Sequence, residues 1–215
     1  MHVPDGFISP QLSLPAYAAC APLWAWAARR SLGPGPGRAS VESLPVVGAL
    51  TALAFVIQTI MIPVPGGTST HLVGVMLLAL LYHPLLAFLC ESLVLLIQAL
   101  FFGAGGVTVL AVNALAMGLV GPLAGWLAWL ALRRLSEKAA AFIAGWVSMQ
   151  AATVAVVGVL ALQHRLDAGY FPLPPAVTFT AMVIPSVAVA GVIEGLYTVF
   201  ALSLVRKARL RGLEV

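Results

Sequence analysis

The chain has 215 residues, of which 61% are hydrophobic and only 8% are charged, and its formal net charge is +4. An ordinary soluble domain carries about 25% charged residues, so this composition excludes a water-soluble globular protein. The few basic residues fall in short clusters, which excludes a nucleic-acid-binding surface. We therefore expect a single membrane domain over residues 1–215, in contact with membrane lipid and without a nucleic-acid partner.

Apolar stretches follow one another along the chain and are separated where Gly, Pro or charged residues accumulate. A helix needs roughly 20 apolar residues to cross a bilayer, and all the stretches except the third approach that length. The sequence predicts an all-α integral membrane protein, a seven-transmembrane-helix bundle over 11–215, with spans at 11–30, 43–62, 68–82, 84–102, 107–132, 139–162 and 176–205. The clearest connector is Gly33-Pro34-Gly35-Pro36-Gly37, and His83-Pro84 predicts a tight turn between two helices.

The arginine and lysine residues predict the orientation. With the N-terminus outside, ten of the eleven basic residues lie on the inner side and only Arg165 lies outside, as the positive-inside rule requires. We therefore expect the C-terminus to be cytoplasmic. The outer face then carries the N-terminal segment 1–10 and the loops 63–71 and 103–106. No basic region precedes the first apolar stretch, so we expect no cleaved signal peptide.

Met1 and His2 offer a metal chelate made largely from the main chain. A free α-amine, the His2 amide nitrogen and the His2 Nδ1 can enclose one ion in two fused rings, which leaves one equatorial position open. His71, in a loop on the same face, can fill that position. Four nitrogens in a plane suit nickel(II) or copper(II), and cobalt(II) after adjustment. On the residues alone, a chance histidine after the initiator and an interfacial histidine at a helix start stay open as alternatives.

Other polar residues near the outer side are candidates to hydrogen-bond the ring nitrogens of such histidines. Ordinary hydrogen bonding between helices is the alternative for each of them. These candidates are Thr68, Ser69, Gln98 and Asn113. Asp5, next to Gly6, is expected to shape the turn that folds the N-terminal segment inward.

Two glutamates, Glu91 and Glu194, lie inside apolar stretches, where charged side chains are costly and are candidates for function. Both are predicted to lie deeper than the histidines. We expect them to bond neighbouring helices or to contact another subunit, not to bind the metal.

Several stretches, in the same order along the chain, resemble the CbiM/NikM family of substrate-capture (S) components of cobalt and nickel energy-coupling-factor (ECF) transporters. They are Met1 to Pro10 (MHVPDGFISP), Pro63 to Leu72 (PVPGGTSTHL), Gln98 to Gly106 (QALFFGAGG), Asn113 to Gly118 and, more weakly, Glu194 to Thr198. The sequence departs from the family pattern at Thr70 and His83, and at Ala104 and Ala116, where the family commonly has an acidic residue and an asparagine.

The resemblance implies a seven-helix S component whose N-terminal segment enters the bundle from outside. It implies that Met1, His2 and His71 bind nickel(II) or cobalt(II), which is the transported substrate, with no organic cofactor. The implied partners are a transmembrane coupling (T) subunit and ATPase (A) subunits, with a small accessory membrane subunit as an optional addition. The implied location is the cytoplasmic membrane of a bacterium or archaeon.

The motifs that are missing from the sequence bear on the function. The chain has no GxxxxGK[ST] motif, so ATP hydrolysis is expected in partner subunits and not here. It has no HExxH motif, and a nitrogen-filled plane leaves no position for an activated water, so we do not expect an enzyme. The alternative function is a stand-alone secondary transporter or channel for another small solute, which is typically marked by internal repeats with broken helices.

Overall fold

The computed structural model describes residues 1–33, 38–41, 43–64 and 68–210, and for residues 62–64, 68–69 and 209–210 it describes the backbone alone. Most of the predicted Gly-Pro connector (34–37), the loop residues 65–67 and the basic residue Arg211 lie outside the described residues.

The described chain is mostly helical. Its helices are α1 (Pro10–Ser31), α2 (Leu44–Gln58), α3 (Met76–Leu81), α4 (Pro84–Phe102), α5 (Leu110–Leu132), α6 (Glu137–Leu166) and α7 (Pro175–Ala208). Helices α4 to α7 are each long and apolar enough to cross a membrane. Three of the helices begin at a proline, at Pro10, Pro84 and Pro175, because the first turn needs no backbone N–H from that residue. Apart from the third, each of the predicted stretches contains a helix, so the helices predicted in those six regions are confirmed.

The region of the third predicted span differs from the prediction. Strands β1 (Ile62–Val64) and β2 (Thr68–Thr70) form an antiparallel hairpin, in which Ile62 pairs with Thr70. Residues 71–75 are not helical, and α3 has only 6 residues. A helix of that length rises about 9 Å and cannot cross a bilayer. The prediction of one helix over 68–82 is therefore wrong, and the all-α prediction fails at this hairpin, whose Ile, Val and Thr residues favour strands.

Helix α6 lies at the centre of the bundle, packed against α5 and against the second half of α7. Glycines lie where these backbones approach each other most closely. A Cβ added to Gly145 of α6 would lie 2.7 Å from the backbone carbonyl oxygen of Glu194. Small residues allow helices in membranes to pack at such distances, so these glycines set the spacing of α6 and α7.

The two ends of α6 differ in their neighbours. At its first residue, Glu137 forms an ion pair with Arg206 of α7. Near its last turn, Gln163 accepts hydrogen bonds from Ser9 of the N-terminal segment. Since 26 residues of helix separate Glu137 from Gln163, these ends lie about 39 Å apart. The N-terminal segment and the Arg206 region thus occupy opposite ends of the bundle, while the seven-span count and the orientation stay predictions.

Candidate metal site

The N-terminal segment, residues 1–9, is inserted into the end of the bundle and is held there by side chains of the helices. Asn113 of α5 accepts a hydrogen bond from the Val3 N–H and donates one to the Val3 carbonyl, both at 3.0 Å. This pairing satisfies both backbone groups of a buried residue. Asn113 was predicted to lie near the histidine rings, and the structure places its side-chain amide on the backbone next to His2.

The next turn of the segment is fixed by Asp5. The Phe7 N–H donates to the Pro4 carbonyl, and Gly6 has a φ of 88°, a value that favours glycine. The Asp5 carboxylate accepts from the Thr108 hydroxyl and, at 2.9 Å, from the Thr108 N–H. Asp5 therefore ties the turn to the start of α5 in addition to its place within the turn.

The loop Gly103 to Gly106 provides the space for this segment. A Cβ on Gly105 would lie 3.3 Å from the Asn113 amide nitrogen and 3.5 Å from the His2 Cβ, and a Cβ on Gly106 would overlap the Asp5 carboxylate. Gly105 also has a φ of 76°. Glycine at both positions lets the loop backbone cover His2 directly.

Met1 and His2 lie at the inner end of the segment, and both are buried. The Thr153 hydroxyl of α6 is 2.9 Å from the Met1 Sδ and also contacts Ser186 of α7. The Met1 side chain is thereby placed beside the contact between α6 and α7. Sequence reasoning missed Thr153 and Gln163, although both are polar residues in an apolar helix, which is the signal that could have found them.

The His2 and His71 rings, distant in sequence, stack against each other. Their centroids are 4.4 Å apart and their planes differ by 18°. Metal–nitrogen bonds to imidazole are about 2.0–2.1 Å long and lie in the plane of the ring, so one ion can bind a nitrogen of each ring only if the rings turn out of this stacked arrangement. The structure thus brings together His2 and His71, which the sequence predicted as a pair.

The tautomer of His71 follows from its hydrogen bond. Its Nδ1 is 2.8 Å from the carbonyl oxygen of Leu72. A carbonyl can only accept, so Nδ1 carries the proton and Nε2 carries the lone pair. Nε2 is buried and, among the described residues, has no hydrogen-bond partner. The nitrogen available to a metal is therefore Nε2.

Burial keeps the nitrogens of the site in the neutral form that binds metal. It lowers the pKa of the Met1 α-amine from 8.0 to about 4. The pKa of His2 falls from 6.5 to about 3, through burial and the nearby N-terminal charge, against a smaller upward effect of Gln98. Burial and the same N-terminal charge also lower the pKa of His71.

The remaining predicted residues have separate positions. Gln98 is buried near the end of α4 and has a small upward effect on the pKa of His2. The side chains of Thr68 and Ser69 lie outside the described part. Glu194 is also near the site, because it contacts the backbone just after His71. No three His, Cys, Asp or Glu side chains cluster within the described residues. A metal bound by His2 and His71 would thus need further ligands of another kind.

The fold and site define a multi-pass helical membrane protein in which two buried histidines meet where the N-terminal segment enters the bundle. Residues 2–211 match the model of the CbiM family, described as the cobalt uptake substrate-specific transmembrane region. The chain belongs to this family, which confirms the resemblance seen in its motifs. It is a substrate-specific membrane component of cobalt or nickel uptake.

Individual relatives agree with this assignment. A putative metal transport protein of Methanocaldococcus jannaschii is 34% identical over 211 residues, which cover 97% of this chain and 93% of the relative. The fused nickel transport protein NikMN of Rhodobacter capsulatus is 33% identical, and the match covers 92% of this chain and 59% of that longer protein. The cobalt transport protein CbiM of Geobacter sulfurreducens is 31% identical, with 97% and 60% covered.

Two solved structures share the fold. A crystal structure of a truncated transition metal transporter superposes with a TM-score of 0.86 at 30% identity and covers all of both chains. A second crystal structure of a transition metal transporter gives a TM-score of 0.87 at 32% identity, and covers 97% of this chain and 93% of that one.

Proposed function

We propose that this chain captures nickel(II) or cobalt(II) with four nitrogens: the Met1 α-amine, the His2 amide, the His2 Nδ1 and the His71 Nε2. The metal is cargo, so the site must bind it tightly enough to collect it and must later be broken to release it. Met1 and His2 supply two fused chelate rings, and His71 completes the plane.

The observation that carries this proposal is the state of His71. Its Nδ1–H is committed to the Leu72 carbonyl, and its buried Nε2 lone pair has no hydrogen-bond partner in the described part of the chain. Leaving a buried acceptor unsatisfied costs about 1–3 kcal/mol. The cost is removed when a cation occupies the space beside Nε2, next to the stacked His2 ring.

The coordination chemistry supports nickel or cobalt as the substrate. Imidazole and amine nitrogens suit late first-row divalent ions, and a planar set of four nitrogens is typical of nickel(II). The chain belongs to a family described by cobalt uptake, and its relatives are named for cobalt and for nickel transport. The choice between nickel and cobalt therefore depends on how far the four nitrogens can depart from a planar arrangement.

Transport requires partners in this proposal. The chain lacks a phosphate-binding loop, so ATP hydrolysis takes place in ECF ATPase (A) subunits joined to the bundle by a transmembrane coupling (T) subunit. The metal site faces the outside of a bacterial or archaeal cytoplasmic membrane, and the basic end that contains Arg206 faces the cytoplasm. This orientation rests on the positive-inside rule and on the separation of these two ends along α6.

The experiment measures nickel and cobalt binding by the purified protein with a native, untagged N-terminus, beside His2→Ala and His71→Ala. We expect one equivalent of metal, a planar-type d–d spectrum for nickel, and loss of tight binding in both variants. His164→Ala is the matched control, because this histidine hydrogen-bonds the Phe171 carbonyl and has no part in the proposed chelate.

The outcomes separate the proposal from its alternative. Tight binding that survives His71→Ala would show that another group supplies the fourth ligand. Loss of binding in the His164→Ala control would show that the effect is not specific to the chelate. Absence of binding in every protein would favour a stand-alone transporter or channel for another small solute.

A further inference from the structure

The segment after His71 is unusual for the interior of a membrane protein. Residues 71–75 are not helical, and Val73 and Val75 are buried. Without water, backbone N–H and C=O groups at such depth need partners inside the protein. The groups that bond this segment therefore decide where His71 lies.

Glu194 of α7 supplies two of those bonds. One carboxylate oxygen accepts from the Val73 N–H and the other from the Gly74 N–H, each at 2.9 Å. Glu194 is itself fully buried. A carboxylate that accepts from two consecutive amides fixes both the position and the rotation of the backbone between them, because each bond restrains a different peptide plane.

The opposite side of Val73 is held as well. The Gln58 amide of α2 donates to the Val73 carbonyl at 2.8 Å and to the Glu91 carboxylate at 2.7 Å. Gly74 has a φ of 76°, and a Cβ there would lie 3.3 Å from the Ala54 Cα. The segment is thus closely packed against α2 and bonded on both sides.

The bond to the Val73 N–H also reaches the metal site. The Val73 nitrogen and the Leu72 carbonyl oxygen belong to the same peptide group, and that oxygen accepts the proton of His71 Nδ1. A hydrogen bond at one end of a peptide polarises the group and strengthens the bond at its other end. Two hydrogen bonds, through the Leu72–Val73 peptide group, therefore connect the Glu194 carboxylate to the His71 ring.

We propose that Glu194 is a positioning residue for His71, acting through the Leu72–Val73 peptide to fix the ring orientation and to keep the lone pair on Nε2. This inference rests on the proposed function, in which His71 binds the metal. Carboxylates commonly act in this way on metal-bound histidines by direct contact. Here a peptide group is inserted between them, so the motif is not visible as a side-chain cluster.

The arrangement links a transmembrane helix to a metal ligand. Glu194 lies on α7, whose later turns carry Arg206 at the opposite end of the bundle. A displacement of α7 relative to α2 would rotate the Leu72–Val73 peptide and turn the His71 ring.

The test compares nickel affinity and the d–d spectrum of Glu194→Gln with those of the unmodified protein. The amide side chain keeps one acceptor and places a donor where the second acceptor was. We expect a loss of about 10- to 100-fold in affinity and a spectrum shifted towards that of His71→Ala. Glu91→Gln, which changes a neighbouring buried carboxylate that contacts Val73 only through Gln58, should lose less than Glu194→Gln. Glu137→Gln, at the far end of α6, should not differ from the unmodified protein.

A double-mutant cycle separates positioning from general damage. If Glu194 acts through His71, then Glu194→Gln should change nickel affinity by less than about twofold in a His71→Ala background. An undiminished loss in that background would overturn the inference. Equal losses for Glu91→Gln and Glu194→Gln would also overturn it, since removal of any buried carboxylate would then suffice.

A second variant covers a failure of Glu194→Gln to fold. Glu194→Asp keeps the carboxylate but shortens the side chain by one methylene, so it cannot reach both amides, and we expect weaker nickel binding with the same spectral shift. Full affinity in this variant would contradict the inference. If the unmodified protein binds no nickel, or His71→Ala binds normally, the proposed function fails. If those controls behave as proposed and only the Glu194 variants bind normally, the inference alone fails.

Discussion

Two non-helical segments meet at the metal site, and they are held by different means. The N-terminal segment is held by neutral side chains, chiefly Asn113 and Gln163, and by Asp5 at its outer turn. The segment after His71 is held by Glu194 and by the Gln58–Glu91 pair. In both, side chains of the helices replace the water that would otherwise satisfy the backbone.

The difference indicates a division of roles. Each hydrogen bond between neutral groups contributes about 0.5–1.5 kcal/mol, and bonds to charged groups about 1.5–3 kcal/mol. Next to the proposed ligands, the N-terminal segment is bonded by the neutral Asn113 side chain, whereas the segment after His71 is bonded by the Glu194 carboxylate. We expect changes to the first segment to affect docking and changes to the second to affect the quality of the ligand.

The largest effect should come from a change to the N-terminal segment, by adding two residues before Met1. The added peptide bond converts the α-amine into an amide, and the buried chain start has no space for the extension. We expect nickel affinity to fall by more than the roughly 10- to 100-fold that is typical when a group that hydrogen-bonds a metal ligand is removed. Circular dichroism of the extended protein should show the helices intact. Nickel binding at full affinity would show that the α-amine is not a ligand.

Asn113→Leu should have the next largest effect, because it removes both hydrogen bonds to Val3. Each buried backbone group left without a partner costs about 1–3 kcal/mol. We expect docking of residues 1–9, followed by the accessibility of Val3→Cys to a thiol reagent, to be weakened together with nickel affinity. The nickel affinity of Asn113→Asp, which still accepts from the Val3 N–H, should lie between those of the unmodified protein and Asn113→Leu. Equal nickel binding by all three proteins would contradict the role assigned to Asn113.

Gly106→Ala tests the space left for the segment. Its Cβ would overlap the Asp5 carboxylate, and overpacking of this kind costs about 1–3 kcal/mol. We expect lower nickel affinity from isothermal titration, with little change in thermal unfolding of the bundle. Gly158→Ala is the matched control, because a Cβ there meets nothing within 4 Å. A loss of the same size in the control would remove the steric explanation.

The pH dependence should show whether the segment is docked before metal arrives. The pKa of the docked α-amine is lowered from 8.0 to about 4, so between these values the undocked state binds more protons and docking is favoured as pH rises. Nickel binding to a docked segment near pH 7 should release one proton, from the His2 amide. The nickel affinity should then rise about 10-fold for each unit of increase in pH. An undocked segment should release about two protons. Calorimetry in buffers of different ionisation enthalpy counts them.

The long helices could be predicted from the sequence because their signals are local. The apolar run that begins at Pro84 and stops before Gly103 became α4 with those bounds. The third predicted span failed for the opposite reason. Most of its residues are as apolar as those of a membrane-spanning helix. However, the backbone of Val73 bonds to the side chains of Glu194 and Gln58, which lie 121 and 15 residues away along the chain.

The sequence by itself determined the membrane class, the positions of the long helices and the pairing of Met1-His2 with His71 as candidate ligands. These depend on composition and on chemistry within a few bonds of one residue. Only the tertiary structure decided the stacking of the two rings, the nitrogen left available on His71 and the contact of Asn113 with Val3, 110 residues away. Such contacts are set by helix packing, because backbone groups removed from water bond to whichever polar side chain the packing brings within reach.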